Sequence, residues 1–238
     1  MINSINNDKI KKYSKLLQKK YRDETNTYLV STDHLVSEAI KNEIAIEVFL
    51  LEGCNNSYGP VEIVTEPVMR KLTNLKTLPN VVAVVKKKKE KSINGNVILL
   101  DSVQDPGNVG TIIRSAVAFG IDTIVLGNGT VDVYNEKVLR ASEGMINNIN
   151  LIKNNLIDTI MDLKIKGYKV IGTKVDGGTD IKNIESKKFA LLVGNEGSGV
   201  SDELLNLCDE YAYIKMNSNC ESLNVGVATS ILIYELNN

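Results

Sequence analysis

The chain of 238 residues has 43% hydrophobic and 24% charged residues and a net charge of −1, which excludes a disordered polyelectrolyte and allows one large domain or two modest ones. No apolar run reaches the roughly 18 residues of a membrane span, the polar N-terminus lacks a signal-peptide core, and Cys54, Cys208 and Cys220 lack metal-ligand spacing, a usage that suits a reducing cytosol. A single histidine, His34, argues against a histidine-centred triad or a multi-histidine metal site.

The first elements are small and alternate in type. A basic helix is expected over Lys9–Lys20, in a stretch where Lys9, Lys11, Lys12, Lys15, Lys19, Lys20 and Arg22 stand without an intervening acid. Such a run either faces a polyanion or is a solvated helix face. A short strand follows at Tyr28–Val30, then a helix at Asp33–Asn42 with Asp33 as N-cap. Ile44–Leu51 and Val61–Val64 read as strands, Glu66–Leu72 as a short helix and Val81–Val85 as a strand. Lys86–Gly95 is lysine-rich and ends in glycine between two apolar strands, so it reads as an extended linker. These boundaries give a domain at 1–85, a linker at 86–95 and a second domain at 96–238.

In the second part, strands are expected at Val97–Asp101, Thr123–Leu126, Lys169–Gly172, Phe189–Gly194 and Tyr211–Ile214. Helices are expected at Asn108–Phe119, Asn135–Ala141, Leu156–Lys166, Asp202–Leu207 and Ser222–Leu236. Continuous apolar strands alternating with helices predict an α/β fold with a parallel sheet covered on both faces. Ligands of such sheets sit beyond the carboxyl ends of the strands.

Three segments at strand ends could carry chemistry. Asp105-Pro106-Gly107-Asn108-Val109-Gly110 starts a helix that also carries Arg114; capping explains the turn but not the arginine. Gly194-Asn195-Glu196-Gly197-Ser198-Gly199 nearly matches a P-loop, but Val200 stands where the lysine is needed, which disfavours nucleotide hydrolysis. A purely structural tight turn is the plain alternative. Ser222-Leu223-Asn224-Val225 leads from a polar loop into the last apolar helix, where Ser222 could be only an N-cap.

Together and in this order, the segments resemble the three signature motifs of the SpoU-type (TrmH) family of RNA 2′-O-ribose methyltransferases, in the SPOUT class. Asp105, Pro106, Asn108, Gly110 and Arg114 match the first motif; Gly194, Glu196, Gly197 and Gly199 the second; Ser222, Leu223, Asn224 and Val225 the third. Ala141-Ser142-Glu143-Gly144 is similar to the family's Ser-x-Gly turn. The first domain is similar to the L30e-like substrate-binding domain of the large-subunit rRNA branch. Three departures stand out: Lys215 replaces a usual proline, Gly226 a frequent serine, and Ser31-Thr32 a commoner Glu-Gly.

The resemblance implies a metal-free transfer of a methyl group from S-adenosylmethionine to a ribose 2′-hydroxyl, in a guanosine of 23S rRNA. It implies a deep trefoil knot in residues 96–238, a homodimer and a cytoplasmic location, with no membrane. The cofactor would meet Gly194, Ile214, Met216, Leu223 and Val225. Arg114, Asn108, Glu196, Ser222 and Asn224 would form the reacting constellation, with Arg114 either the general base or a phosphate-binding cation. RNA would be gripped by Lys11, Lys12, Lys19, Lys20 and Arg22. A tRNA 2′-O-methyltransferase and a non-catalytic RNA-binding protein are the alternatives. Charge agrees with an RNA-facing first domain: residues 1–95 carry 16 Lys/Arg against 11 Asp/Glu, and residues 96–238 carry 12 against 18. RNA affinity should therefore reside mainly in residues 1–95 and fall with salt.

Overall fold

The computed structural model describes residues 1–237 and divides into two compact units. The first holds Met1–Lys89 together with Tyr134–Gly144; the second holds Glu90–Val133 and the chain from Met145 onward. The chain passes from the first unit to the second between Lys89 and Glu90, inside the stretch expected as a linker, and a segment expected in the second domain lies in the first unit. Residues 134–144 pack in the first unit, because Val138 and Leu139 of their helix are buried against its first strand.

The first unit opens with α1 (Asp8–Ser14), a 3-10 turn at Lys15–Leu17, and α2 (Lys19–Thr25). The single basic helix expected here is thus broken, and Arg22 turns inward to donate to the Leu16 carbonyl at 2.7 Å. Then come β1 (Thr27–Val30), α3 (Asp33–Lys41), β2 (Ala45–Leu51), β3 (Glu62–Val64), α4 (Glu66–Lys71) and β4 (Val81–Lys86). The N-cap of α3 is Thr32, whose hydroxyl accepts from Leu35 N, rather than Asp33. Val81–Val85 are all buried, and β4 accordingly lies inside a mixed sheet of order β1-β4-β2-β3. One face packs Val82, Val84 and Phe49 against Ile10, Tyr13 and Met69 of α1 and α4. Helix α3 packs against β2 and β4 through Leu35, Val36 and Ala39.

The expected linker is held at both ends. Lys87 N donates to the Asn26 carbonyl and its ammonium pairs with Asp23 at 2.7 Å, while Lys91 exchanges backbone bonds with the Asn150 amide at 2.9 and 3.0 Å.

The second unit contains β5 (Val97–Leu100), α5 (Pro106–Ala118) and β6 (Thr123–Leu126); α6 (Glu136–Ala141) leaves for the first unit. It continues with β7 (Asn150–Lys153), α7 (Leu156–Ile165), β8 (Lys169–Thr173), β9 (Thr179–Asp180) and β10 (Phe189–Val193), then α8 (Asp202–Leu205), β11 (Glu210–Tyr213) and α9 (Val225–Leu236). All pairings are parallel, in the order β7-β6-β5-β10-β8-β11-β9. Period-two alternation sends Val97, Leu99, Val125, Ala190 and Leu192 to one face, against α7 and α8. The other face receives α9, which packs on α5 and β10. The centre is buried on both faces, as the uninterrupted apolar strands required.

Candidate active site

The carboxyl ends of β8, β10 and β11 open into a cavity of about 390 Å³. It is lined by Thr173–Val175, Gly194–Gly197, Gly199, Ala212–Ile214, Met216, Ser222–Val225, Ala228 and Leu232. Five residues expected around a small ligand, Gly194, Ile214, Met216, Leu223 and Val225, all line it, as do Glu196, Ser222 and Asn224.

The loop after β10 is shaped by glycine. Asn195 and Gly199 exchange backbone hydrogen bonds at 2.9 Å each way, so their N–H groups close the turn on itself instead of facing a phosphate. A Cβ at Gly194 would stand 2.1 Å from the backbone of Gly199 and Val200, and Gly199 adopts φ +70°. No side chain fits at 194. The Asn195 amide donates to the Ser102 carbonyl at 2.8 Å and accepts from Gly197 N at 2.9 Å, which fixes the loop to the end of β5.

A directed relay of hydrogen bonds joins the three motif segments. Glu196 accepts from Asp105 N (2.9 Å), Gln104 N (3.2 Å) and the Asn108 amide (2.9 Å). The Asn108 carbonyl oxygen accepts in turn from the Asn224 amide at 2.7 Å, and the Asn224 oxygen caps α9 through Gly226 N and Val227 N. Both ends dictate the direction: a carboxylate can only accept and a helix N-terminus can only donate. The two asparagines between them have one consistent orientation. Asn224 is therefore the N-cap, not Ser222, which is exposed on the cavity rim three residues before the helix begins.

Burial opposes the charge on Glu196, but the Asn108 amide and the backbone donors outweigh it and hold the carboxyl below its ordinary range. Glu196 acts as an ionised clamp rather than a proton acceptor near neutrality. Gly226, where a serine was the commoner expectation, lets α9 approach α5: a Cβ there would be 3.1 Å from Thr111 Cβ.

Arg114 lies outside this cavity. It projects from α5 as an exposed side chain with no ion pair or hydrogen bond among the described residues. Lys215 is likewise exposed and outside the lining. Of the cations expected to meet RNA, Lys11 and Lys12 are exposed without an acidic partner, and Lys19 and Lys20 are exposed but paired with Asp23 and Glu24 along α2. Arg22 corrects the expectation, because at 7% exposure its guanidinium closes the turn before α2. His34 meets the Glu143 carbonyl at 3.2 Å within the first unit. Cys208 is half-buried, its thiol pushed up to about 11 by burial, and Cys220 is exposed beside the rim. Sequence reasoning missed Asn195 as an anchor, although its position directly after an apolar strand and before a glycine was a usable turn signal.

The description of the SpoU rRNA methylase family matches residues 95–234, and an MRM3-like substrate binding domain matches residues 7–83. A relative in Bacillus subtilis strain 168, the 23S rRNA (guanosine(2553)-2′-O)-methyltransferase RlmP, is 39% identical over 99% of this chain and 98% of its own length. The crystal structure of an AdoMet-bound rRNA methyltransferase from Sinorhizobium meliloti superposes with a TM-score of 0.83, at 29% identity, over 98% of this chain and 95% of that one. A TrmH/SpoU tRNA modifying enzyme from A. aeolicus shares the fold over only 62% of this chain and 76% of its own, with a TM-score of 0.53 at 24% identity. Among the described residues, no helix is long and apolar enough to cross a membrane.

Proposed function

The chain belongs to the SpoU rRNA methylase family, and from that premise we propose that it methylates the 2′-hydroxyl of one guanosine in 23S rRNA. Its class of activity is S-adenosylmethionine-dependent 2′-O-ribose methylation of RNA. The observation that carries the methyltransferase site is the relay Glu196–Asn108–Asn224, which ties the first motif segment to the two segments that line the cavity. The substrate-domain match over residues 7–83 and the full-length relative support rRNA over tRNA.

The cavity suits S-adenosylmethionine. At about 390 Å³ it falls within the ~300–1,000 Å³ of small-molecule sites, and it combines apolar side chains with loop backbone that continues past the end of β11. When bound, the cofactor supplies an electrophilic methyl group on a sulfonium. In this reading Ile214, Leu223 and Val225 enclose apolar surface and exclude water, Gly194 permits close backbone approach, and Met216 and Ser222 complete the rim. Glu196, Asn108 and Asn224 hold those loops in place. Arg114 acts as a charged aligning group: a guanidinium retains its proton, and its fork suits an RNA phosphate beside the reacting hydroxyl, whose proton leaves to water.

The reading also includes a homodimer and the family's knot, in a cytoplasmic enzyme. Val227 and Tyr234 of α9 are 45% and 51% exposed, an apolar surface that supports pairing of two chains. Arg114, outside the cavity of its own chain, fits a site completed across that pair. The test is incubation of the full chain with tritiated S-adenosylmethionine and either rRNA or tRNA from a strain lacking the protein. Label confined to one 23S ribose is the expected result; label in tRNA alone would overturn it. Arg114→Lys should slow transfer without changing the shape of the pH profile, and a full-rate variant would remove Arg114 from the reaction.

A further inference from the structure

A cleft in the first unit shares no lining residue with the cavity at the strand ends of the second. At about 630 Å³, it lies where α6 returns to that unit: Tyr134–Lys137 and Arg140 form one wall, and the turn before α2, the end of β1 and the segment after α4 form the rest. Its apolar lining is Leu17, Leu29 and Leu75, backed by the buried Leu16 and Leu72. Lys76, Lys137 and Arg140 stand exposed along it, and among the described residues no carboxylate pairs with them. Apolar walls with cations at the mouth suit a base together with its phosphates.

One acidic group lines the cleft. Glu136 is half-buried, and a single carboxylate oxygen accepts from the Ser31 hydroxyl at 2.7 Å and the Thr73 hydroxyl at 3.2 Å. Ser31 and Thr73 are themselves buried, at 6% and 8% exposure. Two hydroxyls on Oε1 orient the carboxylate and leave its other oxygen, Oε2, to accept from a ligand.

We propose that this cleft binds one unpaired guanine nucleotide of the RNA substrate, with Glu136 accepting from the N1–H and N2 amine of the base and Lys76, Lys137 and Arg140 taking the flanking phosphates. Guanine alone among the four bases offers two adjacent donors to one carboxylate; adenine and cytosine offer an amine and no neighbouring donor. Ser31 is a positioning residue in this arrangement. The inference rests on RNA being the substrate, and it names a selective contact remote in sequence from the three motifs.

The test is equilibrium binding of the full chain to fluorescent pentaribonucleotides carrying a central guanosine, inosine or adenosine between uridines, alongside methylation of whole rRNA. The unchanged chain should prefer guanosine over inosine and adenosine by about tenfold. Glu136→Gln should abolish that preference, and Ser31→Ala should weaken it, with cofactor affinity by calorimetry unchanged in both. Lys137→Ala with Arg140→Ala should weaken all three oligonucleotides alike and reduce the salt slope by about 1.4, the value for two phosphate contacts on a single strand. A chain that methylates rRNA yet shows no guanosine preference overturns the cleft and leaves the methyltransferase reading intact. A preference that survives Glu136→Gln overturns it as well. Failure to bind or methylate any RNA would instead remove the proposed function on which the cleft depends.

Discussion

Two cavities of this protein, one in each unit, are built by opposite means. The cavity at the strand ends of the second unit is made of loops whose glycines and asparagines leave almost no steric or hydrogen-bonding freedom. The cleft in the first unit is bordered by exposed lysines and an arginine around one carboxylate. Whole-unit charge follows the same division: the first unit carries 17 Lys/Arg against 12 Asp/Glu, the second 11 against 17. Shape should govern one region, and charge and salt the other.

The largest test of that contrast is Gly194→Ala. A methyl group 2.1 Å from backbone cannot be absorbed by a rotamer change, so we expect a loss of about 3 kcal/mol or more and no measurable cofactor binding, read by thermal unfolding and calorimetry. Asn224→Ala should cost about 1–2 kcal/mol, because it removes the cap of α9 and unpairs Asn108 together, and should weaken cofactor affinity more than rRNA affinity. Glu196→Gln should cost less, about 1 kcal/mol, since that side chain is exposed and water can serve its donors. Its pH dependence has a definite sign. A carboxyl held below its unfolded value stabilises the fold at pH above about 4.5, and that advantage over Glu196→Gln disappears as pH falls through the folded value. Unfolding curves of both proteins between pH 7 and pH 3 would check it.

The smallest effect belongs to the charged unit. Burial opposes ionisation of Asp23, but Lys19 and Lys87 hold it at about 2. Asp23→Asn should therefore differ fully from the unchanged chain above about pH 4, lose that difference between pH 4 and 2, and cost under about 1 kcal/mol because Asp23 and Lys19 stand in water, although Lys87 is largely covered. A larger loss there than at Asn224 would invert the contrast.

Much of this was readable from residues alone. Five strands of the second unit, the three motif turns and the lining positions Gly194, Ile214, Met216, Leu223 and Val225 followed from apolar runs, glycine placement and family pattern. Three features depended on contacts distant in sequence. Asn224 caps α9 because its oxygen reaches Gly226 and Val227 while its amide reaches Asn108, a choice between Ser222 and Asn224 that local preference could not make. The basic helix breaks because Arg22 folds back on Leu16, which a count of lysines treats as one more surface charge. The third is α6, whose apolar residues announce a helix but not its partner.

That last helix bears on how such proteins can be taken apart and recombined. Residues 134–144 lie inside the stretch matched by the methylase family, yet they complete the wall of a cleft in the unit at the other end of the chain. A fragment ending at residue 95 would lack that wall, and one beginning at 96 would carry the buried side chains of Val138 and Leu139 without their covering strand. The two units are therefore not interchangeable cassettes. An exchange of recognition domains between family members would have to carry the inserted helix with it, so the cut points for a working chimaera number three rather than one.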